Sequence, residues 1–345
     1  MNAARRHGGA LDAAIARYGG VRADWLDLST GINPVAPPLP ALDPETWTRL
    51  PEAALEGAAS KAARRFYAAP GEAGLVAAPG SQALISLLPH LLPPGPAAVL
   101  APTYAEHERA LRAAGHEVRT VSTLADLTPD IRLAVLANPN NPDGRRFLRA
   151  ELLTLADRLA AAGGHLVVDE AFMDADTRET LAADAGRPGL AVLRSFGKFF
   201  GLAGLRLGFA LTTPDLAARL DERLGPWAVS GPALAIAARW MADDALVEGL
   251  REGIASRAAL TRTAIRAGGL KPTGDAALFA LVEAPLAGAL FEALAHRHIL
   301  TRPFSLRTDW LRLGSVRNEG EAARLTRALC EGMAEARRTQ GERVR

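Results

Sequence analysis

Cysteine is almost absent: Cys330 is the only one in 345 residues, which excludes an intrachain disulfide and a cysteine-built zinc cage. Such a chain suits a reducing compartment, and the expectation is a cytoplasmic protein. No apolar run reaches the ~18 to 20 residues that a membrane span needs. Met1 to Arg6 are polar and lack the apolar centre of an export signal. Net charge is nearly absent as well. Forty basic and thirty-eight acidic residues leave +2, so no polyanionic partner is expected and nucleic acid recedes. Lysine is the scarcest charged type, with only Lys61, Lys198 and Lys271 in a chain that otherwise builds its positive charge from arginine. Lysine can lose its proton and act as an amine nucleophile where arginine cannot. Each retained lysine is therefore a candidate for covalent chemistry.

What is present is the composition of a globular protein, 49% hydrophobic and 23% charged, long enough for one large α/β domain with a smaller companion. The middle of the chain alternates short apolar runs with amphipathic stretches, the α/β pattern. Strands are expected at 97–101, 117–121, 132–137, 165–169, 191–195 and 206–211, and a helix at 149–162 with Leu152, Leu155 and Leu159 on one face. The runs are almost continuously apolar, so the sheet is expected to be mostly parallel and covered on both faces. Beyond Pro214 come long Ala/Leu/Arg helices, one at 244–267 that ends at Gly268 and Gly269. A strand near 277–282, a helix near 286–298, a strand near 311–316 and a helix from Glu319 form a small α+β unit, and 337–345 reads as a frayed tail. The expected organisation is an N-terminal arm over 1–45 packing with the small domain, a large domain over 46–267 and a small domain over 268–345.

The densest chemistry lies in Ser195-Phe196-Gly197-Lys198, followed by Gly204-Leu205-Arg206-Leu207-Gly208. A lysine just past a buried strand end, among glycines that admit close backbone approach, is placed to form an imine, and the flanking Ser195 and Arg206 can hold a phosphate. Asp169 closes the run His165-Leu166-Val167-Val168-Asp169, at the carboxyl end of a strand, where ligands bind in open α/β sheets. Asn138-Pro139-Asn140-Asn141-Pro142-Asp143-Gly144 is a rigid turn that can aim an amide at a ligand oxygen. Pro79-Gly80-Ser81-Gln82 precedes an apolar helical run and offers free amides to an anion. Tyr104 follows the next strand and can stack on a flat ring. No metal-ligand cluster is evident. Each element alone also fits a plain turn or a surface side chain; their order is the specific feature.

That order, over nearly the whole length, resembles the fold type I pyridoxal-phosphate enzymes of the aspartate aminotransferase superfamily. Within it, His7-Gly8-Gly9, Asp27-Leu28-Ser29-Thr30-Gly31-Ile32-Asn33-Pro34, Asp169-Glu170-Ala171-Phe172, Pro226-Trp227 and Ile299-Leu300-Thr301-Arg302 resemble the threonine-phosphate decarboxylases of cobalamin biosynthesis. The resemblance implies an aspartate-aminotransferase-like α/β fold, pyridoxal 5'-phosphate as cofactor, and a homodimer. It implies that Lys198 links to the cofactor, Asp169 pairs with the ring nitrogen, Asn141 bonds the phenolic oxygen, and Tyr104 stacks on the ring. Ser81, Gln82, Ser195 and Arg206 would bind the cofactor phosphate. Arg312 matches the family's substrate-carboxylate arginine, and His7, Gly8, Asn33 and Arg302 match positions that bind the rest of the substrate. At Leu50 relatives usually place a Tyr that reaches the neighbouring subunit's cofactor phosphate; at Ala10 the decarboxylases usually have Asn; at Phe172 they share the Phe.

The implied reaction is decarboxylation of O-phospho-L-threonine to (R)-1-aminopropan-2-yl phosphate, a small phosphorylated substrate. The alternatives are a phosphate-substrate aminotransferase, such as one acting on histidinol phosphate, and a non-catalytic ligand-binding relative. Intact Lys198 disfavours the last.

Overall fold

The computed structural model describes residues 8–343. In chain order the strands are β1 Leu26–Asp27, β2 Gly74–Ala78, β3 Pro96–Leu100, β4 Glu117–Val121, β5 Leu133–Ala137, β6 His165–Asp169, β7 Leu190–Ser195 and β8 Gly208–Thr212. They continue as β9 Pro272–Thr273, β10 Phe279–Glu283, β11 Ile299–Leu300, β12 Arg302–Pro303 and β13 Trp310–Gly314. The chain divides into two compact units. One comprises Ala36–Asn141 and Arg145–Arg251; the other comprises Met1–Val35, Pro142–Gly144 and Glu252–Arg345.

The larger unit is built on a seven-stranded sheet in the order β2-β8-β7-β6-β5-β3-β4. Pairings from β4 through β3, β5 and β6 to β7 are parallel; β8 runs against both of its neighbours. The expected mostly parallel sheet is thus present. Strands β5, β7 and β8 are buried at every position, which is why they read as unbroken apolar runs instead of alternating ones. Helix Arg149–Ala161 turns Leu152, Leu155, Ala156 and Leu159 inward at helical spacing. Helix Gly231–Trp240 starts with Pro232 in its first turn, where proline's missing N–H is harmless.

The second unit holds the sheet β12-β13-β10-β9, entirely antiparallel, and the parallel pair β1-β11. Its core gathers Leu11, Trp25, Leu26 and Leu28 from the N-terminal segment with Leu290, Leu294, Leu311, Leu313, Leu325 and Leu329. The loop-rich beginning of the chain is therefore core material here.

Two local expectations are corrected. Arg206 does not open a strand: it has φ 55° in the left-handed region, and β8 starts at Gly208. The arginine-rich end is not frayed from residue 337, because helix Glu319–Arg343 continues into it as far as residue 343. Among the described residues no helix is long and apolar enough to cross a membrane.

Candidate active site

The sheet's topology brings six loops to one edge. Since β2, β3, β5, β6 and β7 share one direction and β8 opposes them, the ends of the five and the start of β8 meet there. Ser81 follows β2, Tyr104 follows β3, Asn141 follows β5, Asp169 ends β6, Ser195 ends β7, and Arg206 precedes β8. Lys198 lies in the short helix Phe196–Phe199 that continues from β7. Every residue the sequence assigned to the cofactor is thus on the carboxyl edge of this sheet, where open α/β folds bind ligands. The chain leaves β3 for the edge strand β4 and returns to β5 on the other side. Across that reversal Thr103 Oγ1 donates to Asn140 Oδ1 at 2.7 Å, and Asn140 Nδ2 donates to the Pro102 carbonyl at 2.9 Å.

The Arg206 guanidinium and the Ser81 amide lie close to the backbone where β2 and β8 pair, a candidate anion cradle. Gly80, at φ 84°, carries no side chain, and a Cβ there would stand 2.6 Å from Arg206 Nη2. A Cβ on Gly208 would stand 2.3 Å from the Ser81 amide nitrogen. Only glycine lets this guanidinium and this amide come so near the backbone. The first amides of the helix Ser81–Leu87 have no partner inside it. Tyr104 Oη donates to Gln82 Oε1 at 2.9 Å, which joins the aromatic residue to the cradle.

Asp169 is buried, its Oδ1 accepting from the Ala171 amide at 3.0 Å and its Oδ2 lying 3.1 Å from His107 Nε2. His107 is buried too, and its ring meets Tyr104 edge-on at 5.7 Å. Sequence reading missed His107. Its spacing of three from Tyr104, at the start of helix Ala105–Ala113, puts both on one face and was the available signal. Lys198 Nζ stands over the Phe172 ring, 5.1 Å from its centroid. Within the asparagine turn, Asn138 exchanges hydrogen bonds with the Phe147 backbone and Asn140 closes on the β3 loop. Asn141 is the member half-buried beyond them.

Beneath this edge lies a second missed group. Arg194, Glu170 and Asp174 are fully buried, with the guanidinium bonded to both carboxylates. Glu170 also accepts from Thr180 Oγ1 at 2.6 Å and the Leu181 amide at 2.7 Å. Burial pushes both carboxyl pKa values up while the cation opposes the shift. Glu170 and Arg194 adjoin Asp169 and Ser195 in sequence, so the network pins the backbone at two positions of the edge.

The residues assigned to the substrate lie in the second unit. Arg302 on β12 and Arg312 on β13 are directly paired in register. Arg312 is buried, donates from Nη2 to the Ser29 carbonyl at 2.9 Å, and stacks 5.1 Å above the Phe279 ring. Desolvation and the neighbouring Arg302 charge lower its pKa to about 9. A bound anion would oppose both effects, since a buried cation calls for a compensating charge. Gly8 packs against Ser29 so closely that a Cβ would meet the Ser29 carbonyl oxygen at 2.2 Å. Asn33 is buried, and its Oδ1 accepts from the Val35 amide and from Arg257 Nη2, each at 3.1 Å. His7 lies outside the described residues.

Residues 23–329 match the aminotransferase class I and II family. A threonine-phosphate decarboxylase of a Sinorhizobium species is 46% identical over 95% of this chain and 98% of its own. One from Pseudomonas aeruginosa is 45% identical over 94% and 96%. Among solved structures, histidinol-phosphate aminotransferase from Sinorhizobium meliloti in complex with pyridoxal-5'-phosphate superimposes with a TM-score of 0.79, at 22% identity over 94% of this chain and 95% of that one. That likeness establishes the shared fold. By the family match and by full-length similarity, this chain belongs to the aminotransferase class I and II family.

Proposed function

We propose that this chain is a pyridoxal-phosphate-dependent lyase that decarboxylates O-phospho-L-threonine to (R)-1-aminopropan-2-yl phosphate, within cobalamin biosynthesis. The observation that carries the reading is the 46% identity with a threonine-phosphate decarboxylase over almost the whole of both chains. The residues of the sheet edge fit the cofactor. Gly80 and Gly208 let the Arg206 guanidinium and the Ser81 amide lie close against the backbone, two donors suited to a phosphate, and Asp169 is a buried carboxylate suited to a protonated ring nitrogen.

The chemistry supplied by bound pyridoxal phosphate is an electron sink for the pair released as carbon dioxide departs. Lys198 would offer the amine for covalent attachment, and its Nζ would hold or move a proton. Asp169 would face the ring nitrogen, with His107 Nε2 3.1 Å from its Oδ2. Tyr104 presents a ring face, Asn141 an amide, and Ser81, Gln82, Ser195 and Arg206 their donors to the cofactor phosphate. Arg312 would bind the substrate carboxylate and Arg302 the substrate phosphate, with Gly8 and Asn33 as further substrate contacts. Holding two anions restricts rotation of the substrate about its Cα–N bond, and orientation decides which bond breaks.

The enzyme acts as a homodimer in the cytoplasm. Exposed Trp47, Leu50 and Trp227, all in the larger unit, support a surface covered by a second copy. Product analysis with the cofactor-loaded enzyme tests the activity. Carbon dioxide and the amino-alcohol phosphate are expected from phosphothreonine; amino transfer to 2-oxoglutarate without carbon dioxide release would mark an aminotransferase instead.

A further inference from the structure

Ser29 joins the Gly8-Gly9 segment to Arg312, which are far apart in sequence. Its hydroxyl donates to Asp27 Oδ1 at 2.6 Å, and its own amide donates to the same oxygen at 2.9 Å. With its proton so directed, the hydroxyl oxygen accepts from the Gly9 amide at 2.8 Å. Its carbonyl accepts from Arg312 Nη2 at 2.9 Å, and Gly8 packs against that carbonyl. Ser29 is 2% exposed. The turn that carries it is fixed on both sides: Leu28 donates its amide to the Leu300 carbonyl at 2.7 Å, and the Gly314 amide donates to the Leu28 carbonyl at 2.7 Å. These two bonds tie it to β11, which ends two residues before Arg302 in the chain, and to β13, which bears Arg312.

We infer that Ser29 is the positioning residue of the substrate-anion site, through a buried hydroxyl that anchors the Gly8-Gly9 segment beside Arg312 and a carbonyl that sets the Arg312 guanidinium. Asp27 is its orienting partner: by accepting the hydroxyl proton it leaves a lone pair for Gly9. The consequence is specificity. The glycine segment and the arginine are held as one unit, so affinity for an anionic substrate depends on a serine that need not touch it. Gly8 has no side chain because a Cβ would collide with the same carbonyl. The inference rests on the proposed function for the identity of the anion, and the test separates the two.

Ser29→Ala, Asp27→Ala and Asp27→Asn are to be compared with wild type as cofactor-loaded enzymes. Titration calorimetry with inorganic phosphate, used as a simple anion to probe the in-register Arg302–Arg312 pair, gives Kd, and steady-state kinetics with O-phospho-L-threonine gives KM and kcat. Ser29→Ala is expected to raise Kd and KM about ten-fold, the effect of one buried hydrogen bond, with kcat and the cofactor's visible spectrum unchanged. Asp27→Asn keeps an accepting oxygen and should restore near-wild-type values where Asp27→Ala does not. A Kd within two-fold of wild type in Ser29→Ala overturns the inference, as does an equal fall in kcat with KM unmoved. Should Ser29→Ala not fold, an unchanged Kd in Asp27→Ala, at an exposed position, overturns it as well. If wild type releases no carbon dioxide from phosphothreonine, the proposed function fails alone, and the phosphate Kd still decides the role of Ser29.

Discussion

Arg302 and Arg312 face each other across antiparallel strands, paired in register, with Arg312 buried. Residues so paired project from one face with Cβ atoms about 4.5 to 5.5 Å apart, and like charges there are destabilising. Such a pair is stabilised by an anion. Arg302→Ala is expected to raise the phosphothreonine KM between ten- and a hundred-fold, from the loss of a charge-assisted contact worth roughly 1.5 to 3 kcal/mol. Phosphate should also raise the melting temperature of wild type more than that of the variant. Steady-state kinetics and thermal melts measure the two, and an unchanged KM removes Arg302 from the substrate.

Anion binding should weaken on the alkaline side. The lowered pKa of Arg312, about 9, describes the anion-free protein, where desolvation and Arg302 disfavour the charged form. A bound anion raises that pKa, so above about pH 9 binding must take up a proton and Kd should climb by up to ten-fold per pH unit. The same depression means that the unfolded chain binds more protons there, so fold stability gains as pH rises through this range. Calorimetry in buffers of different ionisation enthalpy detects the proton directly.

Lys198→Ala should abolish the visible absorbance of the linked cofactor and its fixation by borohydride, while far-ultraviolet dichroism stays that of wild type. Lys61 and Lys271 carry no comparable flanking pattern. A borohydride-fixed cofactor in the variant would place the link on another lysine.

Arg194→Met should destabilise the fold by about 3 to 5 kcal/mol, because it strands Glu170 and Asp174 as buried charges. Their pKa values are already raised by burial with the arginine present, and its removal raises them further. A group whose folded pKa is raised stabilises the fold below its unfolded pKa and loses that contribution as pH rises. The deficit should therefore be smaller near about pH 4.5 than at pH 8. Urea titrations at both values check the sign.

Trp47→Glu should shift the protein from dimer to monomer in sedimentation velocity. Trp47 is 68% exposed and Leu50, three positions on, is 60% exposed. A monomeric wild type would count against the homodimer.

What the sequence determined by itself was what local spacing can encode. Ser195, Lys198 and Arg206 stand within one short segment, and the unbroken apolar runs of β5 and β6 marked their own ends at Ala137 and Asp169. Those ends named the loops that hold Asn141 and Asp169 before any strand order was known. Only the tertiary structure decided the rest. The placement of six loops on one edge follows from strand order, which is set by pairings between residues distant along the chain and leaves no mark in any one segment. Asn138 and Asn140 are separated from Asn141 by partners at Phe147, Pro102 and Thr103. Arg302 meets Arg312 because β12 and β13 pair in that register and no other, and Ser29 reaches Arg312 across 283 positions. Periodicity reports which face of an element is buried. It does not report what is buried against it, and that contact determines a side chain's charge, partners and use.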